Sequence, residues 1–185
     1  MTEPSASKNI TAIKLRRPNV ADSEVVAEFS AARENIQHTL QMPFANTALW
    51  RDRFTAANPN ALTLVAEIDG KVIGVAGLQP LNDSLRQSHV RALGITVAGS
   101  AQGCGVGTAL MHGLLDWADQ WAQVKRIELR VNVDNLGAIA LYKKFGFVEE
   151  GRLLGECFRA GQYVDVFAMA RWFGARPKEV QNVRT

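Results

Sequence analysis

The sequence predicts a single α/β domain in which helices pack on a mixed β-sheet. Segments with the two-residue alternation of strands are interleaved with segments that have the periodicity of helices. The length of 185 residues fits one domain. The predicted order is β-α-α-β-β-β-α-β-α-β-β, with an antiparallel start and at least one parallel crossover. We expect the domain to cover residues 10–173, between a disordered start (1–9) and a loose tail (174–185).

Composition excludes several classes of protein. No apolar run approaches the ~20 residues of a membrane helix, and the polar start lacks the apolar core of a signal peptide. We therefore expect a cytoplasmic protein with no membrane partner. Two cysteines and three histidines, widely spaced, predict neither a disulfide framework nor a metal site. The net charge of +3 suits a polyanionic small molecule and is too scattered to predict nucleic-acid binding.

The N-terminal part is predicted to supply a strand and two helices. Residues 10–15 alternate apolar and polar side chains, as a strand does. Asn19 is a suitable N-cap for a helix that runs to about residue 32. Residues 38–44 contain a proline and are predicted to form a loop, after which Asn46 caps the second helix.

A β-hairpin and a further strand follow. Residues 62–68 and 72–78 are both strand-like, and Asp69-Gly70 between them is a strong two-residue turn signal. Residues 88–97 are predicted to form the next strand. This half of the sheet is therefore expected to be antiparallel.

A long helix over residues 105–122 comes next. Leu110, Leu114, Ala118 and Trp121 recur at helical spacing and are predicted to form its buried face.

The last third of the chain is predicted as a strand, a helix and two strands. These are residues 127–131, 136–145, 147–154 and 163–169, with a turn at residues 160–161. Gly146 directly follows the helix, as glycine commonly does at a helix C-terminus.

The segment 102–107, Gln-Gly-Cys-Gly-Val-Gly, joins a strand to the long helix. The first turn of a helix has free N–H groups and the positive end of the dipole. Glycines at 103, 105 and 107 remove side chains that would block a phosphate. The segment is therefore predicted to cradle a phosphate, the alternative being a tight turn without a ligand.

The spacing of the glycines selects among phosphate loops. A Walker loop needs Gly-Lys-Ser/Thr, whereas Gly107 is followed by Thr108 without a lysine. In a Rossmann fingerprint the third glycine would fall on Thr108 or Leu110. The pattern that remains after these exclusions is Gln102-x-x-Gly105-x-Gly107. This pattern resembles the acetyl-CoA pyrophosphate loop of the GNAT acetyltransferase superfamily.

A second group of residues strengthens the resemblance. Asn135, Ala138 and Tyr142 are spaced by three and four, so they lie on one helical face. Together with Gly146-Phe147 they resemble the second GNAT signature, an Asn at a helix start, then Ala, Leu-Tyr and Gly-Phe. The alternative for Tyr142 alone is a half-buried core tyrosine.

Other segments resemble the YhhY-type branch of the superfamily, small bacterial acetyltransferases that act on free amino acids. They are residues 39–43, 88–90, 150–152, 161–165 and 169–171. The superfamily resemblance covers residues 10–171, nearly the whole predicted domain.

The resemblance implies a fold, a co-substrate and site residues. The fold would be a mixed sheet of about seven strands, splayed between the fourth and fifth, with about four helices. Acetyl-CoA would be the co-substrate, and no metal would be needed. The residues implied to bind it are Ile95, Val97, Gln102, Gly103, Gly105, Val106, Gly107, Thr108, Asn135, Ala138 and Tyr142.

The implied chemistry is direct attack by an amine in a ternary complex. Tyr142 would stabilise the departing thiolate by hydrogen bonding, because a phenol near pKa 10 protonates a thiolate near 8.5 uphill by about 2 kcal/mol. His89 is the titratable group on the strand 88–97 suited to act as base, the alternative being a structural histidine. Cys104 could instead carry an acetyl group, although a small residue between glycines is the simpler interpretation.

The acceptor pocket is expected between the first two helices and at the last strands. Its predicted residues are Asn35, Met42, Trp50, Phe54 and Tyr163. The alternative for Trp50 and Phe54 is the apolar face of the second helix. Such a pocket would suit an apolar or aromatic amine better than an aminoglycoside.

The leading hypothesis is an N-acetyltransferase for a small amine, most simply a free amino acid. The alternatives are an acetyltransferase for protein N-termini or lysines, and a GNAT module that binds acetyl-CoA without chemistry. A homodimer is common in such families and is kept as an expectation.

Overall fold

The computed structural model describes residues 12–56 and 58–174. Their sheet has seven strands in the order β1-β2-β3-β4-β5-β7-β6. The elements are β1 (Lys14–Arg16), α1 (Ser23–Ala31), α2 (Arg33–Ile36), α3 (Thr47–Thr55), β2 (Leu62–Ile68), β3 (Lys71–Pro80), β4 (Val90–Val97), α4 (Val106–Asp116), β5 (Arg126–Asn132), α5 (Leu136–Lys144), β6 (Val148–Arg159) and β7 (Gln162–Trp172). The predicted α/β class and the predicted order of strands are confirmed. The predictions for residues 1–9 and 175–185 lie outside the described residues.

Among the α-helices and strands of the described residues, α2 is the one that the sequence did not predict. Ala32 has an extended conformation, with ψ at 145°, and it separates α1 from the single turn of α2. One turn is too short for a periodic pattern, so the sequence predicts the end of the first helix at about residue 32 and assigns no element to residues 33–37.

The hairpin of β2 and β3 forms as predicted. Asp69 and Gly70 have φ values of 50° and 75°, the left-handed pair that a type I′ turn requires. β3 continues to pair with β4, so β1 to β4 form an antiparallel half-sheet.

The junction of β4 and β5 divides the sheet. This parallel pair has three residue partners, from Val90 with Arg126 to Ala92 with Glu128. Beyond Ala92 the two strands separate toward their C-terminal ends. The predicted splay between the fourth and fifth strands is therefore confirmed, and it leaves a V-shaped cleft.

Two apolar clusters cover opposite faces of the sheet. Neighbouring strand residues point to opposite faces, and Val65 and Ala66 belong to different clusters. The larger cluster joins α4 and α5 to one face, and the smaller joins α1 and α3 to the other. The helices thus flank the cleft from both sides.

The long helix ends earlier than predicted. After Asp116 it continues as a π-helical turn, Trp117–Trp121, closed by a 3.0 Å bond from the Ala122 N–H to the Trp117 oxygen. Leu110 and Leu114 are buried as predicted, but Trp121 is 77% exposed. The prediction for Trp121 was wrong because the wider π turn rotates later residues away from the α-helical stripe.

The last two strands are longer than predicted and carry a bulge. The register of β6 with β7 shifts between Leu153 and Cys157. The Asp165 carboxylate holds this bulge by accepting from the Gly155 N–H at 2.8 Å and from Arg152. The hairpin tip thereby extends past the end of β5. No helix in the described ranges is long and apolar enough to cross a membrane.

Candidate active site

The glycine loop has the backbone conformation of an anion cradle. Gly103 and Gly105 adopt left-handed φ values of 75° and 85°, and Gly105 is the N-cap of α4. A Cβ added at either position would meet nothing within 4 Å. These two glycines are therefore needed for the backbone conformation, and the space in front of them is open.

The loop presents a row of unpaired donors. Within the part of the chain that the structure describes, the N–H groups of Gly103, Gly105, Val106, Gly107 and Thr108 have no acceptor. They lie at the positive end of the α4 dipole. Unpaired N–H groups at a helix N-terminus favour an anionic ligand such as a pyrophosphate.

Gly107 has a different role from the one predicted. Its Cβ would come 3.1 Å from the Leu141 Cδ2 atom and 3.9 Å from the Ile95 Cδ1 atom. This glycine faces α5 and allows close packing of the two helices. Its contribution to phosphate access is limited to its N–H.

The main chain of β4 faces the cleft at alternate residues. The Ala98 N–H donates to the Ile73 oxygen at 2.9 Å, which makes this pair a hydrogen-bonded pair of the β3–β4 ladder. By alternation, Leu93, Ile95 and Val97 direct their N–H and C=O groups away from β3, toward the gap. This register is the one expected for strand-like binding of an extended ligand along β4.

The Val97 carbonyl is already occupied. It accepts from the Asn35 Nδ2 atom at 3.1 Å and from the Gln102 Nε2 atom at 3.3 Å. Of the Val97 main-chain groups predicted to bind a ligand, only the N–H therefore remains available. The Gln102 side chain thus attaches the loop to the end of β4, and it also donates to the Asn35 side-chain oxygen at 3.2 Å.

The second signature is positioned by the two ends of α5. The Asn135 side-chain oxygen caps the helix by accepting from the Ala138 N–H at 3.2 Å. At the other end, the Phe147 N–H donates to the main-chain carbonyl of Tyr142, and the Gly146 N–H donates to that of Lys143. These two bonds form a Schellman motif. The helix is therefore fixed at both ends beside the cleft.

Tyr142 combines a buried ring with a free hydroxyl. The residue is 7% exposed, and its ring centroid lies 5.8 Å from that of Phe147. Its hydroxyl has no partner among residues 12–56 and 58–174, and it is absent from the fully buried unpaired atoms of those ranges. The oxygen therefore reaches accessible space. Burial raises the pKa of this phenol, so it stays protonated and able to donate at neutral pH.

His89 does not reach the open part of the cleft. It is exposed and precedes β4 at the closed end, where its carbonyl accepts from the Lys125 and Arg126 N–H groups. Leu93, the first residue past the paired segment, is four residues away, about 13 Å of extended chain. This position does not support the predicted role of His89 as base.

The predicted acceptor residues are divided among several places. Trp50 is buried in the smaller core cluster with Phe54 packed against it, which agrees with the alternative of a helix face. Met42 is 76% exposed on the loop after α2. Asn35 is fully engaged by protein groups, and Tyr163 is exposed at the hairpin tip.

A small pocket nevertheless joins two of these residues, Met42 and Trp50. Its volume is about 170 Å³, and it lies between α1, α3 and the loop that connects α2 to α3. Its main lining residues are Leu40, Met42, Phe44, Leu49 and Trp50. Ser30 also lines it, but its hydroxyl oxygen is fully buried and has no partner within the described ranges. Gln41, Asn46 and Arg53 belong to the lining as well, so the pocket has an apolar side and a polar side.

The structure adds residues that the sequence analysis did not identify. Asn132, at the end of β5, and Arg159, in the hairpin, both donate to the Gln37 carbonyl. The sequence gives no signal for Asn132, because it falls on the polar row of β5 with Arg126, Glu128 and Arg130. Across the described ranges there is no group of three or more His, Cys, Asp or Glu side chains that could hold a metal ion.

The model of the acetyltransferase (GNAT) family matches residues 28–147. The chain belongs to this family. GNAT enzymes use acetyl-CoA as acetyl donor, so the predicted superfamily, enzyme class and co-substrate are confirmed.

The relatives of this GNAT chain include enzymes that acetylate amines. It is 39% identical over 159 residues to the L-amino acid N-acetyltransferase AaaT of Escherichia coli (strain K12), covering 86% of this chain and 97% of the relative. The structure of a GCN5-related N-acetyltransferase from Kribbella flavida superposes with a TM-score of 0.77 at 27% identity, covering 88% of this chain and 98% of that one. The putative acetyltransferase yncA of Salmonella typhimurium, solved with acetyl-CoA, has a TM-score of 0.78 at 20% identity and covers 89% and 96% of the chains, which shows the shared fold.

Proposed function

We propose that this GNAT protein transfers the acetyl group of acetyl-CoA to the primary amine of a free amino acid with an apolar or aromatic side chain. The observation that carries the proposal is the similarity of the chain, over 86% of its length, to an L-amino acid N-acetyltransferase. A pocket with an apolar side, next to α1 and α3, supports the choice of side chain. The reaction is direct attack within a ternary complex.

Unpaired backbone donors support the binding mode of the donor. The pyrophosphate lies on the N–H groups of Gly103, Gly105, Val106, Gly107 and Thr108. The pantetheine arm runs between β4 and β5, bonded to the main chain of Ile95 and to the Val97 N–H. The Asn135 Nδ2 atom has no acceptor within the described part of the chain and is available to the arm.

The pocket supports an apolar side chain on the acceptor. Its wall on α1 includes Ser30, the residue after Phe29. The Phe29 and Val97 carbonyls accept from the same Asn35 nitrogen, so this wall is adjacent to the end of β4. An amino acid whose side chain enters the pocket therefore has its amine close to the cleft. The larger apolar lining residues, Leu40, Met42, Phe44, Leu49 and Trp50, would contact a leucine-, methionine- or phenylalanine-like side chain, and Arg53 would disfavour a cationic one.

The chemistry requires positioning and charge stabilisation. The amine must lose a proton before it attacks, at about 1.4 kcal/mol for each unit of pKa above the ambient pH. Main-chain N–H groups of β4 that face the cleft stabilise the negative oxygen of the tetrahedral intermediate. As the thioester C–S bond breaks, the Tyr142 hydroxyl donates a hydrogen bond to the leaving thiolate. Because burial raises the pKa of Tyr142, full proton transfer from it is unfavourable. The nitrogen loses its second proton to water after the C–N bond has formed, and the thiolate takes up a proton from water after it has left.

The test is release of CoA thiol on incubation with acetyl-CoA and single acceptors. Leucine, methionine and phenylalanine are compared with aspartate, lysine, spermidine and a peptide with a free N-terminus. The acetylated products are identified by mass spectrometry. We expect N-acetylated apolar amino acids to form fastest. Faster acetylation of the peptide would favour a protein acetyltransferase, and no thiol release with any acceptor would favour a binding module.

A further inference from the structure

The one-turn helix α2 lies across the open end of the cleft and is attached to both of its walls. The Asn35 Nδ2 atom donates to the carbonyl of Val97, the last residue of β4, at 3.1 Å. Asn132, the last residue of β5, donates from Nδ2 to the carbonyl of Gln37 at 3.0 Å. Because the mutual pairing of β4 and β5 stops at Ala92, these bonds connect the strands again at the opposite end of the V.

Asn35 uses its whole amide in this attachment. The residue is 5% exposed, and its nitrogen also donates to the Phe29 carbonyl at 2.7 Å. Its oxygen accepts from Gln102, the first residue of the glycine loop, at 3.2 Å. One side chain therefore joins the end of α1, the end of β4 and the loop that cradles the anion.

The other end of the segment has two attachments. Asn132 is also 5% exposed, and it reaches Gln37 across 95 residues of sequence. Arg159 of the β6–β7 hairpin donates to the same carbonyl and pairs with Asp134. Gln37 is thereby fixed to the C-terminal half of the sheet, whereas Asn35 is fixed to the N-terminal half.

We propose that residues 33–37 form a crossbar that sets the width of the cleft, and that Asn35 and Asn132 are positioning residues for acetyl transfer. The kinetic part of this inference rests on the proposed function. Without Asn35 the segment is detached from β4, and without Asn132 only Arg159 still holds Gln37 to the C-terminal half of the sheet, so in either case β4 and β5 can move relative to each other at their ends. The groups along β4 and the acceptor segment after Gln37 then lose register, and a displacement of about 1 Å costs up to about 100-fold in rate.

The kinetic test is a double-mutant cycle with N35L and N132L, which keep the side-chain size and remove the amide. We expect each variant to lower kcat/KM for the preferred amino acid by about 10- to 100-fold, mainly through kcat. Because both residues act through one crossbar, kcat/KM of the double variant should be no more than about twofold below that of the less active single variant. Independent sites would instead give the product of the two effects, and that result would overturn the proposal.

Asp22→Asn is the matched control for loss of stability. Asp22 is a buried polar residue paired with Arg16, at the opposite end of α1 from Asn35. This variant should lower Tm and leave kcat/KM within about twofold of the wild type. If N35L and N132L matched it in both measurements, the asparagines would have only a structural role.

A second readout does not depend on activity. The amides of Asn35, Ile36, Gln37 and His38 bond to carbonyls of residues 32–35, and their hydrogen exchange reports opening of the crossbar. In N132L, without substrates, exchange of a peptide spanning residues 33–38 should rise about 10-fold or more. Unchanged exchange would overturn the crossbar even in an active enzyme. A wild type with no acetyl transfer but the expected exchange response would remove the proposed function and leave the crossbar intact.

Discussion

Single residues carry the chemistry in the proposed mechanism, and Tyr142 is the one with the most specific role. Its ring is fixed by burial and by the Schellman motif at the end of α5, while its hydroxyl remains unpaired within the described chain. The fold thus supplies a phenol that is rigid, protonated and free to donate. A hydroxyl in this state contributes to the transition state without first breaking another hydrogen bond.

Replacing Tyr142 with Phe should therefore slow turnover without weakening donor binding. Phenylalanine keeps the ring packing, so Tm and the Kd for acetyl-CoA should change little. We expect kcat to fall about 10- to 100-fold, up to the lower limit of the cost of removing a transition-state donor. Steady-state kinetics and calorimetry would check both values. Wild-type turnover in this variant would exclude Tyr142 from the mechanism.

His89 is expected to be dispensable for catalysis. It lies at the closed end of the V, with its ring centroid 6.4 Å from that of Trp172. Replacing it with Asn should leave kcat/KM and its pH profile within about twofold of the wild type, as expected for an exposed residue outside the site. A loss of the basic limb of the pH profile in this variant would restore His89 as the base.

At the scale of elements, the glycine loop and α4 act together. The left-handed glycines turn the chain so that successive N–H groups point outward, and the helix adds its dipole. Gly107 then brings α5 close enough for the second signature to line the same cleft. The two signatures are therefore connected by packing as well as by the ligand they are proposed to share.

Gly105→Ala should weaken acetyl-CoA binding. A Cβ at a φ of 85° costs roughly 1–2 kcal/mol, which the loop relieves by moving its N–H groups out of register. We expect the Kd for acetyl-CoA to rise at least about 10-fold, measured by calorimetry. Gly70→Ala is the control, because Gly70 has a φ of 75° in the distant hairpin turn and equally open surroundings. It should lower Tm by a similar amount and leave the Kd unchanged.

At the scale of the whole molecule, the two halves of the sheet are held together by few direct contacts. Three residue partners join β4 to β5, while α2 and the larger apolar cluster span the junction. Arg171 of β7 also pairs with Asp119, in the turn that follows α4. In the N-terminal half, Arg16 of β1 bonds the Asp22 carboxylate at 2.7 Å and Glu67 of β2 at 2.8 Å.

The Arg16 pair predicts a specific response to acid. The hydrogen bond from Arg16 lowers the pKa of Asp22, with a further contribution from the Asn19 N–H. The stability from a lowered carboxylate pKa is present above its unfolded value of about 3.9 and is lost as pH falls through the folded value. Urea midpoints between pH 7 and pH 3 should therefore fall less steeply for Asp22→Asn than for the wild type. Parallel curves for the two proteins would contradict this assignment.

Much of the fold could be predicted from the sequence because its signals are local. Asp69-Gly70 specifies a turn, Asn46 and Asn135 cap the helices they precede, and Gly146 ends α5. Each depends on residues no more than a few positions away. The π-helical turn was missed because it changes the helical period without any glycine or proline to mark it.

The sequence by itself determined the family and the donor loop, since the spacing of Gln102, Gly105 and Gly107 lies within one short segment. Only the tertiary structure decided that Gly107 packs against α5, that His89 lies at the closed end, and that α2 bridges the cleft. Those outcomes depend on strand splay and on contacts between residues far apart in the chain, such as Asn132 with Gln37. No local pattern encodes such contacts, because they exist only once the sheet has assembled.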